Sequence, residues 1–548
     1  MKKAVIAILF LVLLFSGTAA LSAAPQSKPQ PAGGTYDDLV ALFKEFREFQ
    51  KPQVVGGIPD YTPAAMKTQR LGLDKLMKRL AAIDIQTWPI PQKIDYMLVR
   101  AEMNGLDFDH RVLKPWAKDP AWYIVVEFQF GQKMYDPINL PRGTLNADRV
   151  PALKTKLKAV PAILEQAKTN LTEPTADLVM LGIRSKQREA GMLRGFAKTI
   201  ASSQPDLVPD VERAIRAVDD FRGWLEKNQN RWKGPSGIGV ANYDWYLKNV
   251  QLLPYTWEEL MAISQREYDR SMSMIRLEQH KNRALPPFKL VSTSEEYALI
   301  FNQSQRYLRN FLVNEEVMTV PDWLTLNPIK GFYYDFKGVP DYFAQIQLRD
   351  SLPLQPHDFV GHNPDATRQR QDKRPIRGTE RLYFIDGTRA EALASGSEEI
   401  LMHLGLLDRR PRARELTYNL IGFRAARSMS DLWIHSNRLT FRQGYDFNIE
   451  KTPYHWLPAD SPTMWHDLEL YLRQPTYGVG YLIGSLQLQK LISDRGIQLE
   501  DKFVLKDLMD SFYAAGMIPI ALVRWEITGL DDEILKMWPE IPRLKSKE

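Results

Sequence analysis

The chain has 548 residues, of which 44% are hydrophobic and 25% charged, and Lys plus Arg exceed Asp plus Glu by six. That length exceeds what one compact core serves, so two or three packed regions are expected. The small, scattered charge excess excludes a nucleic-acid face, which needs clustered basic residues. The absence of cysteine excludes disulfides, thiolate metal ligands and a cysteine-linked lipid anchor.

The chain opens "MKKAVIAILFLVLLFSGTAALSAAPQ". Lys2 and Lys3, an apolar stretch and then small residues form the pattern of a secretory signal over 1–23, with cleavage between Ala20 and Ala24. The apolar run is too short, and its far flank too small and polar, for a spanning helix. A periplasmic or secreted protein without stable membrane insertion is therefore expected. Residues 24–35 form a Pro/Gly-rich tether of the kind that stays disordered.

From Tyr36 the pattern is helical, with Leu39, Leu42, Phe43 and Phe46 on one face and Asp37 or Asp38 as the cap. Helical periodicity recurs over 66–84, 92–104, 150–170, 175–200 and 208–230. Pro161 is expected to end or kink the third of these segments. Short strands are expected near 122–128 and 344–348. The Gly/Pro-rich stretch 231–249 separates an N-terminal helical region (36–230) from a C-terminal one (231–548). In the latter, helical segments run over 256–281, 294–314, 388–406, 412–436, 464–474, 478–494 and 501–517. The expected fold class is mainly α with minor β content.

Six of the eight histidines fall between His357 and His466. The stretch "QPHDFVGHNPD" sets His357 and His362 five residues apart, with Asp358 after the first and Gly361 before the second. Without cysteine, a metal site needs His, Asp and Glu. Two His and one Glu form a zinc ligand set that leaves a position for water. On an ideal α-helix the two rings would stand roughly 140° apart, too far round to hold one ion. A π-bulge or local break is required, and the backbone freedom of Gly361 is one way to supply it. Glu391, 29 residues after His362, opens a helical segment at a suitable distance for the third ligand. The competing reading is a pair of hydrogen-bonded loop histidines, with Asp358 as a turn or cap residue.

Four stretches carry a resemblance. "EALASGSEEILMHLGLLD" (391–408) resembles E-G-W-A-L-Y-A-E followed by L-G-L-Y-D, and "RQPTYGVGYLIGSLQLQKL" (473–491) resembles P-G-Q-A-x-x-Y-x-x-G, with Tyr481 and Gly484 matching. "IGFRAARSMSDLWIH" (421–435) is similar to a helix ending in Gly-Ile-His, and "PHDFVGH" is a divergent H-E-A-x-P-G-H. These are landmarks of the bacterial DUF885 family, placed among gluzincin-like zinc peptidases. "LKPWAKDPAWY" (113–123) and "IGVANYDWYL" (238–247) also look like family landmarks, so the resemblance spans about residues 36–540. It implies a multi-helical gluzincin-like architecture around a central cleft.

Without a gap, Pro356 stands where the family has its first His and His357 where it has Glu. With a one-residue deletion, His357 and His362 are the two His and Asp358 replaces the Glu. On the second alignment the resemblance implies one zinc ion held by His357, His362 and Glu391. Asp358 would then be the general base, Tyr481 or His435 the oxyanion donor, and Arg424 or Arg427 a partner of core carboxylates or of a substrate carboxylate. The implied activity is peptide hydrolysis. Departures such as Leu393, Gly396 and Tyr477 keep open a catalytically inactive relative that binds a peptide or envelope ligand.

Overall fold

The computed structural model describes residues 34–127, 133–141, 145–331 and 340–541. The signal expected over 1–23 and nearly all of the tether lie outside the described residues.

The first helix, α1 (Tyr36–Phe49), starts at Thr35, not at an aspartate. The Thr35 side chain accepts from the Asp38 backbone N–H, and the Asp38 carboxylate accepts from the Thr35 backbone N–H in return. This capping box satisfies two otherwise orphan donors. Leu39, Leu42, Phe43 and Phe46 are buried on the expected face.

Two helices, α2 (Pro63–Ala81) and α3 (Ile90–Phe108), follow α1. Next come α4 (Val150–Asn170), α5 (Ala176–Ile200) and α6 (Val208–Asn228). Pro161 neither ends nor divides α4. It lacks a backbone donor, but Leu157, Val160 and Leu164 on either side are held in a core shared with Leu193, Val211 and Phe221. Packing along the whole helix outweighs one missing hydrogen bond.

The C-terminal region is built on α7 (Trp257–Lys281), α8 (Gly387–His403), α9 (Ala413–His435), α10 (Pro462–Arg473) and α11 (Tyr477–Leu499). Helix α9 runs through the middle, packed against both α7 and α11, while α8 lies along α11. A Cβ on Gly484 would come within 2.3 Å of the Ala392 Cβ, so only glycine permits so close an approach of α11 to α8. A core joins Leu98 and Val99 of α3 to Leu393, Leu401, Leu488 and Leu522. The first three helices therefore pack against the C-terminal half, while α4–α6 build most of a second core and α5 also reaches the C-terminal half through Leu178 and Leu181.

The fold is mainly α. Among the described residues the sheet content is the hairpin Val54–Val55 with Ile58–Pro59. Near 122–128 there is a 3₁₀ turn at Pro120–Trp122 and one isolated bridge, Val126 to Ile138, in place of a strand. Residues 342–347 are helical, correcting the strand expected at 344–348. Alternation there is misleading because Gln345 and Gln347 are buried as well, so no solvent face exists to give a two-residue period meaning. No helix among the described residues is long and apolar enough to cross a membrane.

Candidate metal centre

Residues His357–His362 form a π-helical turn, in which the Asn363 N–H reaches back five residues to the Asp358 carbonyl. A five-residue hydrogen-bond period puts residues five apart on one face. The two Nε2 atoms consequently lie 3.2 Å apart, with the rings nearly perpendicular at 79°. Gly361 serves the turn by its small size. It has no left-handed φ, and a Cβ on it would lie 2.5 Å from the Ala394 Cα on α8. The missing side chain lets the turn lie flat against α8.

That contact brings in Glu391 from the first turns of α8. One ligand atom from each of His357, His362 and Glu391 falls within 4.8 Å of the other two. Glu391 Oε2 is 3.7 Å from His362 Nε2 and, though buried, has no hydrogen-bond partner. A tetrahedral zinc ion with ligands at about 2.0–2.1 Å separates them by roughly 3.3–3.4 Å. The 3.2 Å and 3.7 Å separations bracket that value. The third pair lies within 4.8 Å, so the donor types and the orphaned carboxylate oxygen fit such an ion once Glu391 and His357 draw closer.

A second ring of contacts orients these groups. His357 Nδ1 is 3.0 Å from Glu398 Oε1, and Arg424 grips Glu398 through two hydrogen bonds of 2.6 and 2.7 Å. Burial alone would push the Glu398 carboxyl up, but Arg424 and His357 outweigh it and hold it below the usual range. An ionised Glu398 keeps a proton on His357 Nδ1, leaving Nε2 with a free lone pair. Glu391 Oε1 accepts from the Tyr477 hydroxyl at 2.8 Å. Burial and the adjacent Glu391 raise the Tyr477 hydroxyl well above its ordinary range, so it remains a donor.

Sequence reasoning missed both Glu398 and Tyr477 as parts of the site. Glu398 is seven residues after Glu391, two turns along the same helix face, which was a usable signal. Tyr477 stands where the resembled pattern has Gln, and its hydroxyl supplies a hydrogen-bond donor there.

The other expected site residues lie outside the three-residue ligand cluster, at different distances from it. Asp358 is exposed and lines a recess of about 130 Å³ with Gln305, Asn327 and Asn363, outside the ligand cluster. His435 is fully buried, its Nε2 3.0 Å from the Tyr471 carbonyl, and burial depresses it to about 4. Arg424 pairs with Glu398 and is buried, as is Arg427, which donates to Asp467 at 2.5 Å and lies 4.4 Å from the Tyr481 ring. Tyr481 lies beside Tyr477, with ring centroids 5.7 Å apart. Burial first, then Glu391, raises the Tyr481 hydroxyl above its ordinary range.

The residues 424, 427, 431 and 435 recur at helical spacing along α9. They form a stripe of ionisable groups on a helix that is buried along nearly its whole length. Each is answered by a neighbour: Glu398, Asp467, the Tyr243 hydroxyl on Asp431 at 2.9 Å, and the Tyr471 carbonyl.

Residues 51–287 match the family model described as "Bacterial protein of unknown function (DUF885)". The match ends before α8 and the ligand cluster, so it supports the family resemblance without reaching these residues. Two solved structures share the fold. One, from Shewanella oneidensis and described as "a putative lipoprotein of unknown function", has 15% identity and a TM-score of 0.69, and the alignment covers 90% of this chain and 99% of that one. The other, "the putative lipoprotein from Colwellia psychrerythraea", has 14% identity and a TM-score of 0.66, covering 90% and 98%. No curated protein matches the sequence.

Proposed function

We propose that the protein is an exported zinc-dependent hydrolase acting on peptide bonds. The observation that carries this reading is the 3.2 Å approach of the His357 and His362 Nε2 atoms beside the partnerless Glu391 Oε2. When bound there, zinc supplies a Lewis acid and lowers the pKa of a water. His357, His362 and Glu391 hold the ion. Glu398 fixes the His357 tautomer, and Tyr477 occupies one oxygen of Glu391 so that the other is left for the metal. Tyr481, kept protonated by burial, is the residue assigned to donate to a developing oxyanion. His435 is assigned no such role, because its Nε2 already faces the Tyr471 carbonyl.

The position of Asp358 favours a second reading. It is exposed in a separate recess, which leaves the proton-accepting role without a placed carboxylate. On that reading the protein binds zinc and a peptide or envelope ligand without cutting it.

Elemental analysis of the purified protein beside His362→Ala tests both. About one zinc per chain, lost in the variant, together with cleavage of a peptide library supports the hydrolase. Zinc without cleavage supports the second reading. No zinc after loading refutes the metal centre itself.

A further inference from the structure

A cavity of about 830 Å³ opens between the N-terminal helices and the segment leading into α8. Its walls include Tyr61, Trp116, Trp122, Tyr383 and Phe384. Tyr383, Phe384 and Gln474 also line the narrow gap that Glu391 and Tyr477 share, so the cavity adjoins the candidate metal centre.

The cavity's cations are all engaged. Arg47 pairs with Glu102 at 3.1 Å and donates to the Glu380 carbonyl, and Lys133 pairs with Glu127 at 2.5 Å. Arg381 lies 3.3 Å from Glu102 and donates to the Thr379 carbonyl. Asp109 lies beside the Tyr383 hydroxyl and is engaged as well. Asp386 is different: it lies on the cavity wall, and among the described residues its carboxylate has no ion pair and no hydrogen bond to another side chain, only one to its own backbone N–H, with the charges of Arg381 and Arg389 farther off. It occupies the N-cap position of α8 yet makes no side-chain cap bond. An aspartate at that position ordinarily accepts from the helix N-terminus. A half-buried carboxylate without a side-chain donor is left under-satisfied, and a cationic ligand in the cavity would complete it.

We propose that Asp386 anchors the protonated primary amine of a ligand held between these aromatic walls, namely the free amino terminus of a short peptide with an apolar first side chain. The ligand class rests on the peptide reading above, whereas the anchoring does not depend on zinc. Aromatic walls take the apolar side chain, and the carboxylate takes the charge. Burial pushes the Asp386 carboxyl up to about 6, with Arg381 and Arg389 pulling it back and Glu380 adding to the rise. It is therefore ionised at neutral pH, and amine binding weakens as the pH falls below about 6.

The test is calorimetric titration of the full-length protein at pH 7.5 in EDTA, so that no peptide is cut. The probes are Phe-Ala-Ala-amide, its N-acetyl form and N-acetyl-Phe-Ala-Lys-amide. The free-amine peptide is expected to bind about tenfold tighter than its acetylated form. Asp386→Asn should abolish that preference, and Glu380→Gln should preserve it. Tight binding of the lysine peptide, lost in Asp386→Asn, would keep the anchor and assign the amine to a side chain. Equal binding of all three, an equal loss of all three in Asp386→Asn, or no binding at all would overturn the proposal. Discrimination in a protein that takes up no zinc would uphold this anchor while refuting the hydrolase.

Discussion

His357 Nδ1 and Glu398 Oε1 stand 3.0 Å apart, and that contact decides which nitrogen of the ring faces His362. Removing the negative charge loosens the choice. With zinc held as proposed, Glu398→Gln is expected to weaken zinc binding about 10- to 100-fold while the ligands themselves are intact. Competition against a chelator of known affinity reads this directly. Unchanged affinity would mean that Glu398 serves only to neutralise Arg424.

Tyr477 holds Glu391 through one hydrogen bond of 2.8 Å. Tyr477→Phe leaves a buried carboxylate with neither oxygen satisfied. The metal-free protein should lose about 1–3 kcal/mol in denaturant unfolding. A midpoint equal to that of the parent would show that the hydroxyl is replaceable by water.

Gly361 sits where a Cβ would meet the backbone of α8 2.5 Å away. Backbone cannot rotate aside as a flexible side chain can, so Gly361→Ala should force the π-turn off α8. A loss of about 1–3 kcal/mol is expected, with zinc uptake reduced because His362 moves from Glu391. Gly191, in the exposed interior of α5 with nothing near its Cβ position, is the control. Gly191→Ala should raise stability by up to about 1 kcal/mol. Equal effects at both positions would discard the steric account.

Asp431 is buried on α9, and burial raises its carboxyl to about 8 despite the Tyr243 hydrogen bond. The unfolded chain ionises near 3.9. The folded state's advantage is therefore full below that value and is lost as the pH rises to about 8. Asp431→Asn should thus gain on the parent protein between pH 6.5 and 8, by about 1.5 kcal/mol. His435, depressed to about 4, is uncharged throughout that window and does not oppose the trend. Melting temperatures across the window check this, and parallel curves for the two proteins would contradict it.

The helices were legible to the extent that their register is written locally. The segments at 150–170 and 294–314 end where periodicity puts them, because apolar spacing, caps and turn residues act within a turn or two. The strand expected at 344–348 was misread for the converse reason: alternation over five residues cannot reveal that both faces will be covered, and the apolar run at 122–126 is equally a buried turn.

For the site, residue types and spacing alone singled out His357, His362 and Glu391 as candidates and demanded a non-α turn between the two histidines. Tertiary structure supplied what spacing does not encode. The π-turn closes because Gly361 lies against Ala394, and Glu398 and Tyr477 enter from positions 41 and 86 residues away from the groups they hold. Asp358 is turned into a different recess from its neighbour His357. Periodicity is a property of consecutive residues and survives in the sequence. Which buried donor meets which buried acceptor depends on how rigid helices pack, and that is set by the contacts of the whole chain.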